Sequence, residues 1–297
     1  MKNRLFIRSL VISAAIVLAG AQAAQGQTPA QQPDMTIDAA QRAEVIEGVL
    51  KRLNDNYVFP ETAKKMEAAI RERARKKEYD QITSARQFVT TLTNHLQEVS
   101  RDKHLRVNYS HEPYPRRGPQ SAPSPEEREQ FRQFLATRNF GFERVERLNG
   151  NIGYLDLRGF NPAEFAAETA VAAMNFLANT EALIIDLRQN GGGDPAMVAL
   201  LSSYLFGPDT VHLNDLYGRA NDSTRQWWTL PYVPGKRYVN KDVYVLTSKR
   251  TFSAAEEFTY NLQNLKRATI IGETTGGGAH PGGIQRINDH FAVWVPT

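Results

Sequence analysis

The chain has 297 residues, 41% of them hydrophobic and 23% charged, which allows one large domain or a core with a smaller helical domain. It contains no cysteine, which excludes a thiol nucleophile, a thiolate zinc site, a disulfide framework and a lipid-modified cysteine. The formal charge is +4, but Lys2, Arg4 and Arg8 all lie in the first 26 residues. The other 33 basic side chains face 32 acidic ones, a balance of +1 that makes no case for a nucleic-acid partner.

Residues 1–26 read as a secretory signal peptide: a basic start, an apolar run over 10–18, then small residues at cleavage spacing in Ala21-Gln22-Ala23 and Ala24-Gln25-Gly26. An uncleaved anchor is the other reading of that pattern. No later segment is apolar enough to span a membrane, so an exported, periplasmic or secreted protein with no stable membrane insertion is expected. Residues 27–35 form a polar linker rich in Gln and Pro. Residues 36–100 are expected to form an N-terminal helical domain. Asp38 with Gln41 resembles a capping box, Pro60 can open a second helix, and Ser84 with Gln87 caps a third. Residues 105–109 alternate like a short strand. The Pro- and Ser-rich stretch 111–124 reads as a loop, and Ser124-Pro125 starts another helix.

From residue 139 the texture changes. Strands are expected over 152–157, 182–187, 243–247 and 268–272. Helices follow from Asn161-Pro162 to about Leu177, from Asp194 to Leu205, and over about 252–265. Alternation with short connections predicts a mainly parallel sheet covered by helices. Residues 207–242 interrupt it with Trp227, Trp228, Tyr232 and three prolines, and are expected to cover a site.

Sites on open parallel sheets form beyond the carboxyl ends of the strands. Two loops there carry chemistry. Asn190-Gly191-Gly192-Gly193-Asp194 joins a buried strand to a helix, and its amides suit an oxyanion or a phosphate. No phosphate-loop or dinucleotide fingerprint accompanies it, and a plain tight turn is the alternative. Ser253 opens a helix directly after a strand, with the Ala254 amide beside it, although G-x-S-x-G is absent. With Glu256 three residues on, Ser253 also fits a simple capping box.

Three motifs in order, Asp186-Leu-Arg-Gln-Asn-Gly-Gly-Gly193, Leu246-Thr-Ser-Lys-Arg-Thr-Phe-Ser-Ala-Ala-Glu256 and Gly272-Glu-Thr-Thr-Gly-Gly-Gly278, resemble the S41 peptidase family. That family includes carboxy-terminal processing proteases, the tricorn core protease and the modules of interphotoreceptor retinoid-binding protein, whose branch is most similar. The resemblance implies a crotonase/ClpP-like α/β core over 101–297, Ser253 as nucleophile, and oxyanion amides from Ala254 and Gly191, Gly192 and Gly193. The processing branch places a lysine base 25 residues after the serine; here that position is Gly278. The tricorn branch uses an early histidine, and Arg101-Asp102-Lys103-His104-Leu105 matches its segment, which implies His104 as general base. His280 is a second candidate.

The acid that orients the histidine in tricorn-like relatives lies beyond the last strand seen here. The chain therefore reads as truncated at its C-terminus, unless Glu273 substitutes. About 40 residues separate the His104 strand from the core, too few for a PDZ domain, so tail-specific recognition is not expected. The resemblance implies a peptide or protein substrate, and no metal or organic cofactor is expected. The competing reading is a non-catalytic binder of a hydrophobic, retinoid-like ligand, with Trp227, Trp228 and Tyr232 lining its pocket. An esterase using the same groups is a third.

Overall fold

The computed structural model describes residues 33–114, 123–219, 222–278 and 280–297. The expected signal peptide lies outside them, as does most of the loop expected before Ser124. Helices α1 (Ala39–Asn56), α2 (Pro60–Arg75) and α3 (Ala85–Ser100) start where local chemistry dictates. The Asp38 carboxylate accepts from Gln41 N while the Gln41 side chain returns a bond to the Asp38 amide. Pro60 occupies the first turn of α2, and the Ser84 hydroxyl accepts from Gln87 N. These contacts satisfy amides that a helix start would otherwise leave open.

The helices do not close their core alone. Strand β1 (Arg106–Tyr109) pairs antiparallel with β10 (Phe291–Pro296), which pairs with β9 (Gly282–Arg286). Leu105, Val107, Phe291, Val293 and Val295 are buried with Val45, Leu50, Phe88 and Leu92 of the helices. The start and end of the described chain therefore share one apolar core, across the boundary expected at residue 100.

After α4 (Pro125–Ala136), opened by a Ser124–Glu127 capping box, comes the second layer. Strands β2 (Phe142–Leu148), β3 (Ile152–Leu157), β4 (Ala182–Asp186), β7 (Asp242–Thr247) and β8 (Thr269–Gly272) form one sheet in the order β2-β3-β4-β7-β8. The pairs β3–β4, β4–β7 and β7–β8 are parallel; β2 is an antiparallel edge. Helices α5 (Ala163–Leu177), α6 (Pro195–Leu205) and α7 (Ala254–Asn264) supply the covering apolar faces. Ala170, Leu177, Val198, Leu201, Phe258 and Leu262 are buried with Leu183, Ile185, Val243 and Val245 of the strands. The expected mainly parallel α/β core with N-terminal helices is what the chain forms.

Two details differ from expectation. The Asn161-Pro162 pair leads into α5 without a side-chain cap: Pro162 is the residue before the helix, and it makes no capping bond. Residues 207–242 include an antiparallel hairpin, β5 (His212–Gly218) with β6 (Ser223–Trp228). Arg219, just past β5, donates to the carbonyl oxygens of Asn54 and Asp55 at the end of α1. A cation on the open carbonyls of a helix terminus is the favourable sign of charge there.

Candidate active site

Two loops leave the carboxyl ends of neighbouring strands β4 and β7 and are stitched together. Thr251 Oγ1 donates to Leu187 O at 2.8 Å, Ser248 Oγ to Arg188 O at 2.7 Å, and Phe252 N to Asn190 O at 3.1 Å. The buried Asn190 side chain donates to Leu157 O and accepts from Gly192 N at 2.8 Å. The glycine loop is thus held against the turn that carries Ser253.

Gly192 shows how close that approach is. Its φ is +102°, and a Cβ there would lie 2.6 Å from Ser253 Cβ and 2.9 Å from Ala254 N. Only a residue without a side chain fits. Its own amide is taken by Asn190, however, so the expectation that Gly192 donates to an oxyanion is corrected. Gly193 and Ala254 remain: their amides meet no acceptor among the described residues, and both line the same cavity as Ser253. Gly191 is exposed, and its amide also meets no acceptor among the described residues.

Ser253 has φ +56° and ψ −125°, a region that residues with a side chain rarely enter and that costs about 1–3 kcal/mol. The residues that merely cap helices here do not share it: Ser84 (−82°, 124°) and Ser124 (−63°, 160°) are extended, as capping geometry prefers. The conformation is that of a strained strand-to-helix turn that presents a hydroxyl.

Glu256 was expected to complete a capping box, and it does more. Its carboxylate accepts from Ser253 N at 2.8 Å, Gly277 N at 2.6 Å and Gly278 N at 2.7 Å. One carboxylate therefore binds the second glycine loop to the serine turn. The spacing of Glu256 announced the first bond; nothing local announced the other two.

His104 comes from the segment before β1. Asp102 accepts from the His104 amide at 2.9 Å and from the Tyr57 hydroxyl at 3.1 Å, while Lys103 Nζ donates to Gly276 O at 2.7 Å. These bonds fix the backbone and leave the ring free. The imidazole packs on Phe252, the residue before the serine, with ring centroids 4.4 Å apart. Its Nδ1 is buried without a partner, and no hydrogen bond joins it to Ser253 among the described residues. Burial pushes its pKa below the ordinary 6.5; Asp102 and Glu256 oppose that shift, while Arg106 and His280 add to it.

Gly278 stands where the processing branch would have lysine. A Cβ there would overlap the Phe252 ring and come within 2.9 Å of His104 Cε1. Phe252 and the imidazole therefore fill the space such a side chain would need. His280 packs edge-on to Phe59, 5.0 Å between centroids, close enough to influence His104. Glu273 lies in the cavity wall, where it accepts from Lys249 N at 3.2 Å, and makes no bond to His104. Trp227, Trp228 and Tyr232 do not line this cavity, and Tyr232 is 74% exposed. The hairpin contributes Asn214, Asp215 and Leu216 instead, residues that carried no signal in the sequence.

The cavity measures about 720 Å³ and includes Gly193, Ser253, Ala254, Glu256 and Glu257 in its walls. A helix-covered, mainly parallel α/β core thus sets a strained serine turn and a glycine loop side by side at the ends of its strands. Residues 151–297 match the model of peptidase family S41, and residues 36–141 match the N-terminal domain of that family in eukaryotic IRBP. The chain belongs to peptidase family S41. A stretch of 103 residues is 35% identical to the tail-specific protease of Haemophilus influenzae; it is 33% of this chain and only 13% of that protein. A putative peptidase from Parabacteroides merdae shares the fold at TM-score 0.56 and 18% identity, over 86% of this chain and 82% of the other. The tricorn protease matches 86% of this chain and 32% of its own, at TM-score 0.51 and 14% identity. Family membership supports a peptidase role.

Proposed function

We propose that this chain is a serine-type peptidase that cleaves peptide bonds through an acyl-enzyme on Ser253, with His104 as general base. The observation that carries the reading is the backbone of Ser253 at φ +56°. A helix cap needs no such strain, whereas a presented nucleophile does. His104 takes the hydroxyl proton as Oγ attacks the substrate carbonyl. The oxygen anion faces the amides of Ala254 and Gly193, and the imidazolium returns the proton to the leaving amine. Water, activated in the same way, then releases the acyl group and restores the serine. Apo enzymes often hold the base and nucleophile loosely and tighten them on binding substrate, which accommodates the absent His104–Ser253 bond.

The IRBP description of the N-terminal match keeps an apolar-ligand binder in view, but the cavity walls hold Asp215, Glu256, Glu257 and Glu273. Four carboxylates suit an apolar guest poorly. The leader pattern over residues 1–26 supports export to the periplasm or beyond. Among the described residues, no helix is long and apolar enough to cross a membrane.

A fluorophosphonate probe tests the assignment on the whole chain. Labelling should vanish in Ser253→Ala and fall at least about a hundredfold in His104→Ala. Equal labelling of Ser253→Ala and the unmodified protein would remove Ser253 as nucleophile.

A further inference from the structure

The cavity beside Ser253 contains a carboxylate that the catalytic groups do not use. Glu257 follows Glu256 in the first turn of α7, and it lines the same cavity as Ser253, the residue before that helix. Its side chain is half-buried and has a single hydrogen bond, from Asn214 Nδ2 at 2.9 Å. No cation partners it among the described residues. Burial, joined by the like charge of Asp194, pushes its carboxyl above the ordinary range, while Asn214 opposes.

The other acids of the cavity have hydrogen-bond partners as well. Glu256 accepts three backbone amides, Asp215 bonds the His212 ring at 2.7 Å, and Glu273 accepts from Lys249 N. No lysine or arginine lines the cavity among its described residues. Asn214 Oδ1, on the wall beside Glu257, is itself buried with no donor.

An ionised carboxylate offers about four acceptor positions, and Glu257 uses one. A half-buried carboxylate without a counter-ion is costly, and an apolar residue of similar volume would be cheaper. The cost is recovered when a ligand brings the missing donors. A guanidinium or an ammonium supplies both the positive charge and several N–H groups; an apolar side chain supplies neither and would leave Glu257 dehydrated. An acidic side chain would meet four carboxylates. We infer that this cavity is a specificity pocket for a cationic side chain of the substrate, arginine or lysine at the residue whose carbonyl Ser253 attacks, with Glu257 as counter-charge and Asn214 holding it in place. The inference rests on the peptidase reading for its register and on the cavity for its chemistry.

Peptide aldehydes fix that register, because the aldehyde carbon adds to the nucleophile. Acetyl-Leu-Leu-argininal and acetyl-Leu-Leu-norleucinal are compared by how far each slows fluorophosphonate labelling of the whole chain. Argininal should protect at concentrations at least about tenfold lower, and the advantage should collapse in Glu257→Gln. Equal protection, a norleucinal preference, or an argininal advantage that survives in Glu257→Gln would overturn the pocket. A parallel titration uses Ser253→Ala with acetyl-Leu-Leu-arginine amide and its norleucine counterpart, measured by calorimetry. Tighter arginine binding without any Ser253 labelling would defeat the peptidase reading and leave the cation pocket standing. Labelling without arginine preference would do the reverse, and binding of neither amide would overturn the pocket. Should Glu257→Gln fail to fold, the ligand pairs on the unmodified glutamate decide by the same criteria.

Discussion

Ser84, Ser124 and Ser253 each precede a helix, and each has a glutamate or glutamine three residues later, so spacing cannot tell them apart. Their backbones can, since only Ser253 has positive φ. His104 is the second residue whose character lies in its surroundings. Burial disfavours the imidazolium, so the ring takes up its proton below pH 6.5, its ordinary value. The base must be neutral to accept a proton. Activity (kcat/KM) should therefore rise with pH through a midpoint below 6.5 and level off above it, and a pH–rate profile shows where that limb falls. An acid limb centred above 6.5 would exclude His104 as the group responsible. The same depression has a consequence for stability: the folded state loses ground as pH falls below the unfolded value, because the unfolded chain then binds the proton more readily. Replacing Glu256 with Gln leaves one oxygen for three amides and turns an N–H toward them. A loss of about 1–3 kcal/mol in denaturant unfolding is expected, with slower fluorophosphonate labelling. Unchanged labelling would show that the second glycine loop does not depend on this carboxylate.

At the scale of elements, the site is a junction of loops rather than the property of one. The glycine loop after β4 touches the serine turn after β7 through Gly192, and the loop after β8 reaches the same turn through Glu256. Gly192→Ala introduces a Cβ at positive φ against Ser253 and should abolish labelling by displacing the turn. Gly278→Ala drives a methyl group into the Phe252 ring and toward His104. Displacements of about 1 Å at reacting groups cost about a hundredfold in rate, so labelling of Gly278→Ala should fall by that order while circular dichroism stays native. Retained labelling would place His104 outside the chemistry.

The whole molecule decides whether His104 arrives at all. The histidine precedes β1, which hydrogen-bonds β10 at the other end of the described chain, and both strands bury side chains among α1–α3. Phe291 is 1% exposed and pairs in register with Tyr109. Phe291→Ala should cost about 3–5 kcal/mol, lowering the thermal midpoint. Labelling should fall as well, although residue 291 touches none of the reacting groups. A loss of stability with full labelling would show that the β1–β10 pairing does not position the base.

Local signals made the helices readable: the Asp38–Gln41 and Ser124–Glu127 boxes, Pro60 at a first turn, and the apolar runs of β3, β4 and β7 all act within a few residues of chain. The motif order also marked Ser253, Ala254 and the glycine loop. Strand β2 went unread because it is a charged sheet edge, Phe142-Glu-Arg-Val-Glu-Arg-Leu148, and edges carry weak patterning. The Asn149-Gly150 turn joining it to β3 was the available signal. Strand β10 pairs locally with β9 but also with β1, about 180 residues away, and no local propensity encodes that second pairing. For the same reason the sequence determined which residues could be nucleophile, base and oxyanion donor. Tertiary packing alone decided that Gly192 lies against the serine turn with its amide on Asn190, that Phe252 and His104 fill the space a side chain at Gly278 would need, and that Glu257 lines the cavity with no counter-ion among the described residues. Those outcomes depend on which distant side chains share a space and which charges find partners, and only the folded chain settles either.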